Sequence, residues 1–291
     1  MSVLQSIFLG AIQGLTEFLP VSSSGHLAIL KNFFHIETGT SILFDILLHI
    51  GTLLVVFVVY WKDIWKLILE TLHMAGDIFT NLGILFKNKK TEEKTKYKRI
   101  VRTNYRKFVV LILVSTVPTG ILGVLGEKLI KNAGETLLIP GICLLITGVL
   151  LLISDRAENC YKIPKDVTYR EGALVGVAQG FATLPGLSRS GTTITACLLC
   201  GFDRKFAVKY SFILSIPAIL GAAVLEISDL GNEVITSGLV GTYLAGMVAA
   251  ALVGYVCIKT MLVVVKNKKF KYFAFYCFAI GIVSIAGHFI L

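Results

Sequence analysis

Two stretches of the chain are similar to each other: residues 13–26 read QGLTEFLPVSSSGH, and residues 179–192 read QGFATLPGLSRSGT. In both, an apolar segment runs into proline, glycine and serine and then becomes apolar again. Proline and glycine end a helix, and a serine can cap the N-terminus of the next one. Each stretch therefore predicts a helix, a short break and a second helix.

The rest of the chain is unusually apolar. Of its 291 residues, 55% are hydrophobic and 16% are charged, and the mean hydropathy is +0.79. Soluble domains average about 45–50% apolar and about 25% charged residues. The composition predicts an integral membrane protein and excludes a soluble globule or a disordered chain. The net charge of +10 does not indicate nucleic-acid binding, because much of the excess lies in one loop.

Six apolar runs are long enough to cross a membrane as helices, since a hydrocarbon core about 30 Å thick needs about 20 residues. They cover residues 42–60, 108–126, 136–153, 207–226, 239–262 and 270–290. Two further apolar segments, residues 3–34 and 172–202, are interrupted by the breaks. Irregular backbone at membrane depth is tolerated only where it is buried in protein or lines a cavity. We therefore predict that both segments are re-entrant helical hairpins.

Loop charges predict the orientation. Twelve Lys and Arg residues in residues 61–107 place this loop in the cytoplasm, because positive loops stay inside. The loop at 227–238 carries Asp229 and Glu233 and no basic residue, which fits the outside. Threading the spans between them puts both termini outside the cell. Residues 61–80 are predicted to form an amphipathic helix on the inner surface.

The two broken segments also begin a repeat. A shift of 166 residues carries residues 22–25 (SSSG) onto residues 188–191 (SRSG), and Gln13 onto Gln179. The following spans match as well, so that each half reads as one hairpin plus three transmembrane helices.

The halves are predicted to have opposite orientations, because three spans, an odd number, separate the hairpins. The sequence thus predicts an all-α integral membrane protein with an inverted-topology repeat. Residues 1–291 form one membrane domain, with repeat one in residues 1–153 and repeat two in residues 169–291. Such repeats place their site near the midplane, where the broken helices meet.

The two breaks are suited to binding an anion. A serine-rich turn that opens a helix offers free backbone N–H groups and the positive end of the helix dipole, which suits phosphate. Two such turns facing each other could hold a diphosphate. The candidate binding residues are Ser24, Gly25, Ser188, Ser190, Gly191 and Thr193.

Ionisable residues accompany these turns. Arg189 offers a planar fork for phosphate oxygens, and an arginine in an apolar segment points to function. Glu17 is a candidate Mg²⁺ or Ca²⁺ ligand or general base. Gln13, one turn earlier, lies on the same helical face and is a second candidate residue for the cation site. His26 could activate a serine, orient a phosphate or protonate a leaving group.

Other residues carry weaker signals. His49 and Asp45 lie one turn apart, and they either line the same cavity or form a helix–helix hydrogen bond. Cys197 and Cys200 have the spacing of a redox or metal pair. Without a second pair or a nearby histidine, we interpret them as small buried hydrophobes. The N-terminus shows no basic region and no cleavage motif, so no signal peptide is predicted.

The chain resembles the bacterial undecaprenyl-diphosphate phosphatases, the bacitracin-resistance family. Residues 13–26 resemble the family's first signature and residues 185–193 its second, and the layout of spans matches over the whole chain. The resemblance implies removal of the terminal phosphate of undecaprenyl diphosphate, which regenerates the lipid carrier for cell-wall synthesis. It also implies Mg²⁺ or Ca²⁺ and a pocket open to the outer face of the cell membrane. The family often has glutamate at the position of Gln13, so a metal role falls on Glu17.

We therefore predict a membrane lipid diphosphate phosphatase. Ser23 is the favoured nucleophile and Ser22 the next, with His26 assisting proton transfer and Glu17 binding metal or acting as base. Attack by a metal-bound water is left open, as is a homo-oligomer.

One alternative is a transporter or flippase for a lipid phosphate or another anion, since broken helices in inverted repeats are typical of transporters. A purely structural scaffold is the other alternative, and it does not explain Glu17 and Arg189 in apolar surroundings.

Overall fold

The computed structural model describes residues 1–33, 41–91, 94–228 and 237–290, and these residues form helices and no strand. The acidic residues of the loop at 227–238 lie outside the described part. The helices in chain order are α1 (Val3–Phe18), α2 (Ser23–Phe33), α3 (Ser41–Val59), α4 (Trp61–Lys90), α5 (Asn104–Gly134), α6 (Leu138–Asp155), α7 (Tyr169–Phe181), α8 (Arg189–Leu199), α9 (Arg204–Ser228), α10 (Ser237–Lys266) and α11 (Phe270–Ile290).

All six predicted spans are helical. Five helices, α5, α6, α9, α10 and α11, are long and apolar enough to cross a membrane. Helices α3 and α4 meet that test together and are bent by 85° at the break between them, which gives up to six spans. The protein is an all-α, multi-pass membrane protein, as the composition predicts.

Helix α4 is longer than the amphipathic helix predicted over residues 61–80. Its exposed side carries large apolar residues, among them Trp61, Trp65 and Phe79. On the opposite side, Asp77 accepts a hydrogen bond from Arg106 at the start of α5 at 2.6 Å. Two-sided helices of this kind lie in the membrane interface. The location of α4 on the inner surface stays a prediction.

Both predicted helix–break–helix segments are confirmed. Helix α1 ends at Phe18 and α2 begins at Ser23, whereas α7 ends at Phe181 and α8 begins at Arg189. Ser23 and Arg189 are separated by the same shift that relates the two motifs. The sequence repeat therefore coincides with a repeat of local structure.

Helices from different halves approach until their backbones touch. A Cβ atom at Gly10 of α1 would lie 2.1 Å from the carbonyl oxygen of Gly246 in α10. A Cβ atom at Gly176 of α7 would lie 2.1 Å from the carbonyl oxygen of Ser115 in α5. Small residues allow such contacts in membranes, where close packing takes over from the hydrophobic effect. These two contacts fix α1 and α7, the helices that lead into the breaks.

The pattern of helix contacts is the one expected for two copies. Helix α1 packs on α10 and α7 packs on α5, while α3 contacts α9 and α6 contacts α11. Exchanging α1 with α7, α3 with α9, α5 with α10 and α6 with α11 reproduces these contacts. The pattern supports a repeat, and the opposite orientation of its halves in the membrane stays a prediction.

An aromatic core anchors the second half. The rings of Phe108, Phe202, Phe206 and Tyr210 lie with neighbouring centroids 5.3–5.7 Å apart, and they join α5, the connection between α8 and α9, and the start of α9. Cys197 is fully buried in the same core as a free thiol. This core holds α8, and with it Arg189, in a fixed position.

Candidate active site

The two breaks lie against each other. A Cβ atom at Gly25 of the first break would lie 2.8 Å from the Cα atom of Gly186 in the second. A Cβ atom at Gly191 would lie 3.3 Å from the Cβ atom of Pro20. Gly186 has a φ of +91°, a backbone conformation that residues other than glycine rarely adopt. The turns predicted to face each other therefore do so at contact distance.

Central helices hold the second break in place. The Thr147 hydroxyl of α6 donates to the carbonyl oxygen of Gly186 at 3.1 Å and accepts from the Ser188 N–H at 3.0 Å. Buried backbone groups outside regular structure need such partners. One threonine thus satisfies a donor and an acceptor of the irregular backbone.

Each second helix is capped by its own serine. The Ser22 Oγ accepts from the Gly25 N–H at 3.3 Å, and the Ser188 Oγ accepts from the Gly191 N–H at 3.1 Å. Ser22 has a φ of 68°, in the left-handed region, whereas Ser188 has a φ of −62°. The glycine N–H groups are therefore already occupied.

In each helix, the two residues that precede the capped glycine keep free N–H groups. Among the described residues, the backbone N–H groups of Ser23, Ser24, Arg189 and Ser190 have no hydrogen-bond partner. They are the first donors of α2 and α8, where a helix offers unpaired N–H groups and positive potential. The structure therefore leaves two pairs of free N–H groups, one from each half, at positions of the kind that bind anions.

Glu17 links the two halves at this place. It is 7% exposed, and its Oε1 accepts from Arg189 Nη2 at 2.5 Å. Its Oε2 accepts from the Ser23 hydroxyl at 2.6 Å and from Gln13 Nε2 at 3.0 Å. Gln13 Nε2 also lies 2.9 Å from His49 Nδ1. The candidate base, nucleophile and arginine thus form one hydrogen-bonded group.

Four of these residues, Glu17, Ser23, His49 and Arg189, line a cavity of about 530 Å³. The volume lies in the range of about 300–1,000 Å³ that is typical of small-molecule sites. The polar lining includes Glu17, the serines of both turns and Arg189, and most of the remaining lining is apolar and comes from α5 and α9. The cavity is suited to a ligand with a charged head and an apolar tail.

The two terminal nitrogens of the Arg189 guanidinium differ in their contacts. While Nη2 binds Glu17, Nη1 is buried and has no hydrogen-bond partner within the described ranges. A buried guanidinium nitrogen without a partner is costly, and a phosphate oxygen is its preferred ligand. Arg189 can therefore bind a ligand without releasing Glu17.

Two kinds of comparison bear on these residues. A family model described as bacitracin resistance protein BacA matches residues 6–283. The chain belongs to the BacA family. It is 39% identical over 286 residues to an undecaprenyl-diphosphatase of Methanosphaera stadtmanae, covering 98% of each chain. It is 42% identical over 283 residues to an undecaprenyl-diphosphatase of Treponema denticola, covering 97% of this chain and 96% of the other.

In this BacA-family protein, Glu17, Ser23 and Arg189 have the arrangement expected for a base, a nucleophile and an anion-binding residue. The Ser23 hydroxyl donates to Glu17, so the carboxylate is placed to accept the serine proton. The residues that carry the free N–H groups, Arg189 among them, line the same cavity, and such groups suit a phosphoryl group. The roles of Glu17, Ser22, Ser23 and Arg189 stay predictions.

The same side chains do not form a cation site as they are arranged. Both oxygens of Glu17 accept hydrogen bonds, and Gln13 points its amide nitrogen, which cannot bind a cation, at Oε2. Among the described residues, no group of three His, Cys, Asp or Glu side chains could hold a metal. Hard cations prefer several oxygen ligands. We derive no step through a metal, and the requirement for Mg²⁺ or Ca²⁺ stays a prediction.

Five predicted site residues do not line the cavity: Gln13, Gly25, His26, Gly191 and Thr193. Of these, His26 and Thr193 have polar partners elsewhere. His26 Nδ1 is 2.8 Å from the Ser22 carbonyl oxygen, and His26 Nε2 is 2.8 Å from the Tyr276 hydroxyl. The Thr193 hydroxyl lies 2.5 Å from the Ser211 hydroxyl. Neither residue contacts Glu17 or Ser23 within the described part of the chain.

Several further polar residues line the cavity outside the predicted site, and the repeat relates two of them to it. Gln179 and Thr183 occupy the positions that the repeat shift relates to Gln13 and Glu17. Applying that shift to every site residue would have identified both. The second half therefore presents a neutral counterpart of the acidic group around Glu17.

His49 also lines the cavity, whereas its neighbour Asp45 does not. Asp45 accepts from Lys31 Nζ at 2.7 and 2.8 Å, an ion pair between α2 and α3. His49 therefore meets both alternatives, because it also contacts Gln13 of α1, whereas Asp45 forms a helix–helix ion pair.

Proposed function

We propose that this protein is an undecaprenyl-diphosphatase that releases the terminal phosphate of undecaprenyl diphosphate. The observation that carries the proposal is the contact of Glu17 with both Arg189 and Ser23 where the two breaks meet. The BacA family and the names of the relatives agree with this reaction. The product is the monophosphate carrier, and its regeneration fits the resistance to bacitracin in the family's name.

In the proposed reaction, Nη1 of Arg189 binds the diphosphate together with the free backbone N–H groups of both turns. The Ser23 oxygen attacks the terminal phosphorus while Glu17 accepts the hydroxyl proton. The bond from that phosphorus to the bridging oxygen breaks, and the lipid monophosphate leaves. Water then cleaves the phosphoserine and releases inorganic phosphate. Direct attack by water is the alternative that retains all groups except the serine nucleophile.

The lipid tail is proposed to leave the cavity between α5 and α9. Gly120 and Gly123 of α5 and Gly221 of α9 line the cavity, and a Cβ atom at each would meet no atom within 4 Å. Packing therefore does not require these glycines, and their missing side chains leave space. An apolar polyprenyl chain fits such a space.

We place the opening of the cavity at the outer face of the cell membrane. Glu127 and Glu226, near the C-terminal ends of α5 and α9, line the cavity. Both helices run outward if the basic loop is cytoplasmic, so these ends lie outside. The lipid substrate would enter from the outer leaflet.

Phosphate release by the purified protein in detergent tests the function. We expect release from undecaprenyl diphosphate by the wild type and a large loss in Ser23→Ala. A parallel series with EDTA tests the cation requirement. No phosphate release, together with anion flux into vesicles containing the protein, would favour the transporter instead.

A further inference from the structure

His49 occupies a place in the site that the reaction described above does not use. It lies on α3, outside both broken segments, and its side chain is 34% exposed where it lines the cavity. Its Nδ1 lies 2.9 Å from Gln13 Nε2 and 3.6 Å from Glu17 Oε2. One edge of the ring therefore faces Gln13 and Glu17, and Nε2 belongs to the other edge.

The Gln13 amide determines where the proton of His49 sits. Its nitrogen carries two hydrogens and faces two acceptors, Glu17 Oε2 and His49 Nδ1. The reverse amide orientation would place Oε1 against the carboxylate. Since His49 Nδ1 accepts from Gln13, the neutral imidazole carries its hydrogen on Nε2.

This orientation of the Gln13 amide rests on its hydrogen bond to the Glu17 carboxylate, and it has a cost. Gln13 is fully buried, and its Oε1 has no hydrogen-bond partner within the described residues. A buried amide oxygen without a partner is a cost that folded proteins usually avoid. Even so, the Gln13 nitrogen faces both Glu17 Oε2 and His49 Nδ1.

We infer that Gln13 fixes His49 as the Nε2–H tautomer and that His49 donates this hydrogen to a phosphoryl oxygen of the bound diphosphate. The inference rests on the proposed function for the identity of the ligand. Gln13 acts through His49 and is a positioning residue. His49 adds a donor from α3 to those of the two turns and Arg189, so three parts of the fold hold the anion.

Kinetics of two His49 variants test the hydrogen bond. His49→Leu removes the donor, and we expect kcat/KM for phosphate release to fall about 10- to 100-fold, as for loss of a hydrogen bond to a charged group. His49→Gln keeps an acceptor for Gln13 and a donor for the ligand, and we expect it to retain most of the activity. The control is His73→Leu on the exposed side of α4, which should match the wild type.

Nitrogen-15 NMR of the histidine rings tests the tautomer without any turnover. We expect the His49 signals, assigned from their loss in His49→Gln, to report Nε2–H in the wild type. In Gln13→Glu the carboxylate can only accept, so the signals should change to those of a ring protonated at Nδ1.

Three results would overturn the inference: a wild-type ring protonated on Nδ1 alone, wild-type kinetics in His49→Leu, or equal losses in His49→Leu and His49→Gln. If the wild type releases no phosphate, the proposed function fails. The NMR measurement then still decides the part that concerns Gln13.

Discussion

Replacing Arg189 with lysine separates the charge of this residue from its shape. In the structure, Nη2 binds Glu17 at 2.5 Å and Nη1 is buried without a partner in the described part of the chain. The guanidinium can therefore bind Glu17 and a phosphoryl oxygen at once. Lysine has a single ammonium on a flexible stem, which does not reproduce the fork. We expect Arg189→Lys to keep the contact with Glu17 and to lose the contact with the ligand.

The size of the effect follows from the lost bond. A hydrogen bond to a charged group contributes about 1.5–3 kcal/mol. At about 1.4 kcal/mol for each factor of ten in rate, kcat/KM should fall by about 10- to 150-fold. The measurement is phosphate release from undecaprenyl diphosphate in detergent over a range of substrate concentrations.

Arg204→Lys is the matched control. Arg204 also donates through Nη2, to the Ala157 carbonyl oxygen at 2.9 Å, and its Nη1 is also buried without a partner in the described ranges. It begins α9 and does not line the cavity. Its lysine variant should therefore keep the wild-type kcat/KM. An Arg189→Lys variant within about twofold of wild type would show that a point charge is sufficient, and the argument from the fork would fail.

Further predictions concern Glu17, the topology and the lipid tail. Glu17→Gln should lower kcat by about 10²–10⁴-fold, because the amide cannot accept a proton; unchanged turnover and metal requirement would remove it from the mechanism. Adding Gln13→Glu to that variant should restore metal-dependent hydrolysis only if the two positions share a cation. In a cysteine-free background, an impermeant thiol reagent should label a cysteine at Asn232 and not at Lys90 in intact cells, and the reverse would invert the topology. Gly123→Leu should raise KM for undecaprenyl diphosphate and leave a short-chain diphosphate unaffected; equal effects on both would place the tail elsewhere.

The helix breaks could be predicted from the sequence because their causes are local. Proline, glycine and serine act on the backbone within a few residues, and α2 and α8 begin at Ser23 and Arg189, inside the two motifs. The spans follow from composition for the same reason, since a membrane requires long apolar helices. The grouping of serine, carboxylate and arginine near the breaks was likewise expected from the repeat.

The partners of individual side chains depend on how helices turn about their axes, and no local pattern determines this. His26 was expected beside the serine hydroxyls, and the packing of α11 places Tyr276 against it instead. His49 contacts Gln13 because α3 lies against α1. Such contacts require the complete bundle.

The ion pair between Glu17 and Arg189 has a consequence for biosynthesis. Its two members lie 172 positions apart, so the ribosome completes the first half long before it makes the arginine. Until then the carboxylate lacks its counter-charge, and an unpaired charge in an apolar interior is strongly unfavourable. The first broken segment therefore gains this contact only when the second arrives. The enzyme therefore completes its site at a late stage of membrane insertion, and two separately expressed halves should become stable only together.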